Sequence, residues 1–253
     1  MKKYPTISKE TGRYFLTDRI RDEVNFWITE QSKGVHPPPV QKPAPSGSRV
    51  IKLPNHETWT IPQCDLQSAI ANRQSQRRFK AESLSLDELA FLLWATQGVR
   101  HFIHEDAVLR TVPSAGNRHP FETYLAVLKV DGLECGIYRY LPVTHALVYE
   151  RQIDNLPAHL TAATRGQSFT GQAAVTFIWT AIPDRTEWRY VEASYKVIAL
   201  DAGHVCQNLY LACQAITAGT CAIAAYDQTL SDVLLGVDGN DEFTVYIAPV
   251  GKV

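Results

Sequence analysis

The chain has 253 residues, of which 45% are hydrophobic and 20% are charged. This composition is typical of a globular protein that buries a sizeable core. Its 25 Lys and Arg residues nearly balance 26 Asp and Glu residues, so charge gives no argument for nucleic acid or an anionic membrane as a partner.

The cysteine pattern and the length of the apolar stretches predict the cellular compartment of the protein. There are five cysteines and no Cys-x-x-Cys pair, which argues against a disulfide framework and a zinc site and predicts a reducing compartment. The longest apolar stretches are shorter than the ~20 residues of a membrane-spanning helix. No secretory signal is predicted at the N-terminus. We therefore expect a cytoplasmic protein that does not span a membrane.

Residues 1–60 are predicted to form an N-terminal extension, and residues 61–253 the main domain. Five prolines between residues 37 and 45 hold that stretch extended, because proline fixes φ and removes a backbone donor. Such a segment is either a linker or an ordered arm. The two short stretches that follow, 51–54 and 58–62, are expected to be edge strands.

The main domain is predicted to begin with a helix after Asp65. A second helix follows Ser85, whose hydroxyl is a good N-cap with Glu88 at the capping-box position, and Gly98 ends it. Residues 99–112 are expected to form a loop. The remaining elements are predicted as a strand (122–130), a hairpin (136–150), a buried strand (173–182), a long helix (191–217), a short helix (231–236) and a final strand (242–253).

Strands and helices do not alternate strictly in this order. A mixed, mainly antiparallel sheet flanked by helices is therefore favoured over a doubly wound parallel sheet, and the predicted fold class is α+β.

A basic cluster, NRQSQRRF, covers residues 72–79. Arg73, Arg77 and Arg78 place three guanidinium groups beside the hydroxyl of Ser75, and the planar fork of arginine suits bidentate binding of phosphate. The alternative is a solvated basic turn, which is the usual fate of a charge run.

The segment RTVPSAGNRHPFETY, residues 110–124, precedes the first long strand. Its prolines and Gly116 break regular structure, while Ser114, Asn117 and the amide of Ala115 are suited to lining the polar edge of a cofactor. The alternative is an ordinary loop made of turn residues.

Two further segments are candidates. Small side chains in AGTCAIAAYD, residues 218–227, permit a flat ligand to lie against the backbone, although a tightly packed connection explains them equally well. Lys252 follows Gly251 and can reach a phosphate, or it is simply solvated.

In this order the segments resemble the nitroreductase-like flavoproteins. Residues 73–77 resemble the Arg-x-Ser-x-Arg signature of that superfamily. VPSAGNRHPFETY resembles the Pro-Ser-Ala-Gly…Pro-x-Glu-x-Tyr segment of its SagB-type dehydrogenase branch. The family's order continues with three further segments, GIYRY, ALDAGHVCQNLYLA and YIAPVGKV. The resemblance therefore covers roughly residues 65–253.

The resemblance implies the nitroreductase fold, an obligate homodimer and FMN at the dimer interface. The residues expected to hold the phosphate and ribityl chain are Arg73, Gln74, Ser75, Arg77 and Lys252. Those expected to border the flavin are Pro113, Ser114, Ala115, Gly116 and Asn117. Those expected to lie against the isoalloxazine are Ala222, Ile223, Ala224 and Ala225. The implied reaction is hydride transfer at flavin N5.

SagB-type azoline dehydrogenases carry a Lys-Tyr pair after the buried strand, and the matching residues here are Arg189 and Tyr190. Arginine stays protonated and is no general base at neutral pH, which weakens the case for azoline oxidation. Tyr190 is either a proton relay or a packed interface tyrosine.

The substrate is expected to be a small molecule or a modified peptide, with NADH or NADPH as a candidate electron donor. A flavin-binding but catalytically idle scaffold in a peptide-modification complex is the alternative, and a third hypothesis is an interaction module built on the proline-rich arm.

The predicted loop contains four residues that could suggest a metal site: His101, His104, Glu105 and Asp106. A mobile lid is favoured over a metal site there. His119, beside the supposed flavin loop, is a candidate for contact with cofactor or substrate.

Overall fold

The computed structural model describes residues 7–104 and 106–253. One sheet has seven strands: β1 (Val50–Lys52), β4 (Phe121–Val127), β5 (Gly136–Leu141), β6 (Ala146–Arg151), β7 (Val175–Ala181), β8 (Ala218–Thr220) and β9 (Phe243–Lys252). Their order in the sheet is β1-β6-β5-β4-β7-β9-β8, and every neighbouring pair is antiparallel. The predicted α+β nitroreductase-like fold is confirmed.

Helices cover both faces of this sheet. Helices α4 (Leu86–Gln97) and α7 (Ser194–Ala215) contribute to the larger core cluster on one face. Helices α5 (Leu156–Ala163) and α8 (Gln228–Leu235) pack in a second cluster on the other face. The remaining helices are α1 (Lys9–Leu16), α2 (Ile20–Glu23), α3 (Leu66–Asn72) and α6 (Asp184–Tyr190). The sheet is thus the middle of three layers.

Local sequence explains the best-predicted elements. Ser85 caps α4, its hydroxyl accepting from the Glu88 amide while the Glu88 carboxylate accepts from the Ser85 amide, and Gly98 follows the last residue. Every residue of β7 is buried, as its uninterrupted apolar run predicts for a strand covered on both faces.

Two local predictions are wrong. Residues 99–112 contain the β2–β3 hairpin, Val99–His104 and Ala107–Arg110, rather than a loop. The exposed β2 strand has no alternating pattern by which to recognise it. Residues 58–62 form no strand, because Trp59 anchors them by packing against Phe91 and Trp94 and by donating to the Pro54 carbonyl. Helices α1, α2, α5 and α6 have no counterpart among the predicted elements.

The proline-rich segment is an ordered arm. The Arg139 guanidinium donates to the carbonyls of Lys42 and Pro43 at 2.7 and 2.9 Å, and Ala44 packs against a small buried cluster on the sheet. Strand β1, also from the predicted extension, is the edge strand beside β6. A domain boundary at residue 60 stays a prediction.

Candidate functional site

The 113–117 loop is attached to helix α7 by one carboxylate. The Ser114 hydroxyl donates to Asp201 Oδ2 at 2.6 Å, and the Ala115 amide donates to the same oxygen at 3.1 Å. Ser114 Oγ in turn accepts from the His119 amide at 2.9 Å. Burial raises the pKa of the Asp201 carboxyl, although these hydrogen bonds oppose the shift. Asp201 therefore fixes the loop that the sequence predicted to border a flavin.

The same loop lies against the end of helix α6. Gly116 has a φ of 58°, and a Cβ atom there would lie 2.7 Å from both Arg189 Cδ and the Tyr190 hydroxyl. Only glycine fits this approach without a shift. The structure thus brings the predicted catalytic pair, Arg189 and Tyr190, against the predicted cofactor loop. Both are half-buried.

The backbone after Tyr190 is strained. Val191 has a φ of 42°, a positive value that is an outlier for a β-branched residue. Strain of this kind persists only where the surroundings hold it, and it concentrates at functional sites. The orientation of Arg189 and Tyr190 therefore depends on contacts outside helix α6.

His119 is buried beside this loop. Its Nε2 lies 2.9 Å from Asn117 Oδ1. Burial, together with the charges of Arg110 and Arg118, lowers the pKa of His119 to about 2. The imidazole is therefore neutral at physiological pH, and its contact with Asn117 occupies that amide oxygen.

A second cluster surrounds the hydroxyl of Tyr210 on α7. That oxygen accepts from the Ala222 amide at 2.8 Å and lies 3.0 Å from Ser75 Oγ. The Arg73 guanidinium lies 5.2 Å from the Tyr210 ring centroid. Tyr210 thus joins the predicted phosphate segment to the predicted isoalloxazine segment.

The rest of the basic segment runs beside β8 and β9. The Gln76 amide donates to the Thr220 carbonyl at 2.9 Å, and side chains at Gly219 or Gly251 would collide with Gln76 or Phe79. Gln74 and Arg77 are exposed. Lys252 is already paired: its ammonium contacts the Glu88 carboxylate and donates to the Ile216 carbonyl at 2.7 Å. A phosphate contact from Lys252 would require it to leave Glu88.

The predicted isoalloxazine segment runs from the core to the surface. Ile223 is buried and pairs with Ile247 of β9, whereas Ala224 and Ala225 are exposed. The exposed pair carries only small side chains, and the Ala225 carbonyl accepts a hydrogen bond from the Gln167 side chain.

The Asp201 cluster and the Tyr210 cluster lie at different positions along the axis of α7. Asp201 and Tyr210 are nine residues apart, about 13 Å along the axis at 1.5 Å per residue. Neither residue stood among the sequence-predicted site residues. Both lie in the segment ALDAGHVCQNLYLA, whose helical pattern alone does not tell which polar side chains turn toward a loop.

No metal-binding group was found within residues 7–104 and 106–253. Of the four residues considered for a lid or a metal, Glu105 lies outside the described residues. Over the same part of the chain, no helix is long and apolar enough to cross a membrane.

The sequence profile of the Nitroreductase family matches residues 70–252. A protein of Methanocaldococcus jannaschii with the provisional name nitroreductase MJ1384 is 32% identical over 204 residues, 80% of this chain and 96% of its own. The trifolitoxin-processing protein TfxB of Rhizobium leguminosarum bv. trifolii is 34% identical over 137 residues, 51% of this chain and 37% of its own.

Among solved structures, a nitroreductase-type protein from Ralstonia eutropha JMP134 superposes with a TM-score of 0.67 at 26% identity, covering 86% of this chain and 94% of its own. Two more distant matches show the fold alone. The E. coli microcin synthetase complex McbBCD, with truncated pro-MccB17 bound, gives 0.60 at 18% identity over 79% and 77% of the chains. An FMN complex from Exiguobacterium sibiricum gives 0.54 at 13% over 76% and 90%.

The antiparallel sheet with helices on both faces defines an α+β protein. The chain belongs to the Nitroreductase family. The predicted fold and the predicted FMN cofactor are those of this family.

Proposed function

We propose that this protein is an FMN-dependent oxidoreductase in which Arg189, Tyr190 and the 113–117 loop border the reacting face of the flavin. The observation that carries the proposal is the close approach of Gly116 to Arg189 and Tyr190. When bound, FMN supplies hydride transfer at its N5 atom, and the protein supplies binding, orientation and electrostatics.

The donor chemistry of the Tyr210 cluster fits the polar tail of FMN. Arg73 and Arg77 offer guanidinium groups for the phosphate, with Ser75 and Gln74 as hydrogen-bonding neighbours. Lys252 adds positive charge nearby and becomes a direct ligand only on leaving Glu88. The exposed Ala224 and Ala225 provide a surface on which a flat ring can lie. The chain holds no bulky charged side chain at those two positions.

The proposal includes a homodimer. The two clusters lie at different positions along the axis of α7. A partner that packs along this helix can therefore bring the 113–117 loop of one chain near the basic segment, residues 72–79, of the other. The exposed side of α7 supports such packing, since Ala199, Leu200 and Gly203 are exposed there. Leu66 and Ile70 of α3 are also exposed. Exposed apolar side chains on two helices that pack together support a proposed interface there.

We propose a modified peptide or a small molecule as substrate. Similarity to a trifolitoxin-processing protein favours the peptide. At neutral pH, Arg189 donates hydrogen bonds and cannot remove a proton, so it orients the substrate while the Tyr190 hydroxyl relays a proton. The SagB-type assignment, a cytoplasmic location and the use of NADH or NADPH belong to this proposal as predictions.

Arg189 is also the observation that favours the second candidate function. With arginine in place of the expected lysine, a flavin-binding chain without turnover would serve as a scaffold in a peptide-modification complex.

The experiment is to purify the full chain and record its absorbance spectrum. If the purified protein is colourless, it is then titrated with FMN. We expect a yellow protein that is bleached anaerobically by NADH or NADPH, or that removes two hydrogens from a thiazoline- or oxazoline-containing peptide. A protein that never acquires flavin bands would disprove FMN binding. Bound flavin that no donor or peptide reduces would favour the scaffold.

A further inference from the structure

The segment of residues 29–43, called the strap here, contacts helix α6 at its last turn. The Gln31 amide donates to the Trp188 carbonyl at 3.0 Å, and the Trp188 indole donates to the Val35 carbonyl at 2.9 Å. Carbonyls in the last turn of a helix have no intrahelical donor, and the strap supplies one here. Trp188 itself is buried.

The other end of the strap is fixed to helix α6 through a single buried carboxylate. Oε1 of Glu122 accepts from the strap's Lys42 amide at 2.7 Å and from the Arg185 guanidinium of α6 at 2.5 Å. The Glu122 side chain is 1% exposed. Arg139 then holds the strap's carbonyls at Lys42 and Pro43. The strap is therefore attached to both the first and the last turn of α6.

These attachments lie immediately beside the proposed reacting groups. Arg189 and Tyr190 directly follow Trp188, and Val191 after them has the strained φ of 42°. The Arg118 guanidinium lies 4.7 Å from the Trp188 ring centroid and packs on that ring. A strained turn that carries two functional side chains needs external contacts to hold it, and small misplacements of such groups cost rate.

We propose that the strap positions the Arg189–Tyr190 end of helix α6 against the 113–117 loop, with Trp188 as the positioning residue. The inference rests on the proposed function for the role of Arg189 and Tyr190, whereas the mechanical coupling of strap and helix does not depend on it. The N-terminal segment is then part of the redox unit rather than an appended interaction module.

The test is Trp188→Phe in the full chain, which keeps a buried ring and removes the donor to the Val35 carbonyl. Trp27→Phe is the matched control, because Trp27 is 90% exposed. Hydrogen–deuterium exchange of the FMN-free protein is the first readout. We expect about tenfold faster exchange at residues 31–35 and 184–190, the effect of losing one hydrogen bond, and unchanged exchange in the control.

Turnover of the FMN-loaded protein is the second readout. We expect Trp188→Phe to lower kcat for flavin reduction about tenfold with little change in KM or FMN affinity, while Trp27→Phe behaves as wild type. Unchanged exchange in Trp188→Phe, or an equal rise throughout the chain, would overturn the coupling. Faster exchange with normal kcat would overturn the positioning role. If the wild-type protein binds no FMN, the proposed function fails, but the exchange measurement still tests the coupling between the strap and helix α6.

Discussion

Gly116 lies where the 113–117 loop meets helix α6, and the neighbours on that side leave no room for a side chain. We predict that Gly116→Ala weakens FMN binding about tenfold, the equivalent of roughly 1.4 kcal/mol, because the new Cβ would displace Arg189 or Tyr190. The measurement is FMN titration followed by quenching of flavin fluorescence.

Gly132→Ala is the control for that substitution. Gly132 has a φ of +80°, and no atom lies within 4 Å of the position that a Cβ would take there, so the substitution carries the same backbone penalty without a collision. Equal FMN affinity in the two variants would show that the contact with α6 does not matter for binding.

Asp201 gives a prediction about pH. Burial raises the pKa of its carboxyl above the ordinary 3.8, so the folded state retains a proton that the unfolded state releases. Stability then falls as pH rises from 3.8 to the raised pKa. We expect the free energy of unfolding of wild type, relative to Asp201→Asn, to decrease over that window in urea titrations.

For Asp238, we expect the free energy of unfolding to change with pH in the opposite direction. Backbone amides, that of Asn240 foremost, lower the pKa of the Asp238 carboxyl, so wild type should gain stability relative to Asp238→Asn as pH rises toward 3.8. Finding the same slope at Asp201 as at Asp238 would refute the effect of burial at Asp201.

At the scale of elements, helix α7 joins the two clusters and presents the exposed surface of the proposed dimer. We predict that Leu200→Glu weakens dimerisation about 100-fold or more, because interface cores are depleted of charge. FMN retention should fall with it. Sedimentation equilibrium and absorbance of the purified variant measure the two effects.

Leu230→Glu is the matched control on helix α8, where Leu230 is similarly exposed. It should leave assembly and flavin content unchanged. A Leu200→Glu variant that stays dimeric would place the interface elsewhere, and a monomeric wild type would disprove the dimer.

Prediction of the elements succeeded where a local pattern decides the outcome. The capping box of Ser85 and Glu88 and the apolar run of β7 are complete within a few residues. It failed for the β2–β3 hairpin and for residues 58–62, where exposure of β2 and the packing of Trp59 on Phe91 and Trp94 outweigh local pattern.

At the scale of the whole molecule, Glu122 connects the arm, the sheet and helix α6. Its carboxylate pairs with Arg185 at 2.5 Å and Arg139 at 3.5 Å, all three side chains being buried. We predict that Glu122→Gln lowers the free energy of unfolding by about 3–5 kcal/mol, because it leaves the buried Arg185 guanidinium without its counter-charge. Arg139 loses one of its two carboxylates and keeps Glu150 at 2.8 Å. Urea unfolding measures the loss.

Glu134→Gln is the control for charge removal. Glu134 pairs with Arg49 at an exposed site, where solvent screens the pair, so its loss should change the stability little. A Glu122→Gln variant no less stable than Glu134→Gln would show that the buried network does not hold the arm.

The sequence by itself determined the α+β class, the family resemblance, most strand positions and helices α3, α4, α7 and α8. It also singled out the segments at residues 73–77, 113–117 and 222–225. Each of these depends on residues close together in the chain, so their order and spacing carry the information. The assignment of individual ligands within the segments stays a prediction.

Only the tertiary structure decided which side chains meet. Asp201 holds Ser114, Tyr210 joins Ser75 to Ala222, and Lys252 pairs with Glu88. The prolines predicted an extended segment, but its place on Glu122 and Arg139 depends on partners about 80 to 100 residues away. Such contacts form when distant segments pack together, and buried polar groups then take whichever partner the fold places within hydrogen-bonding distance.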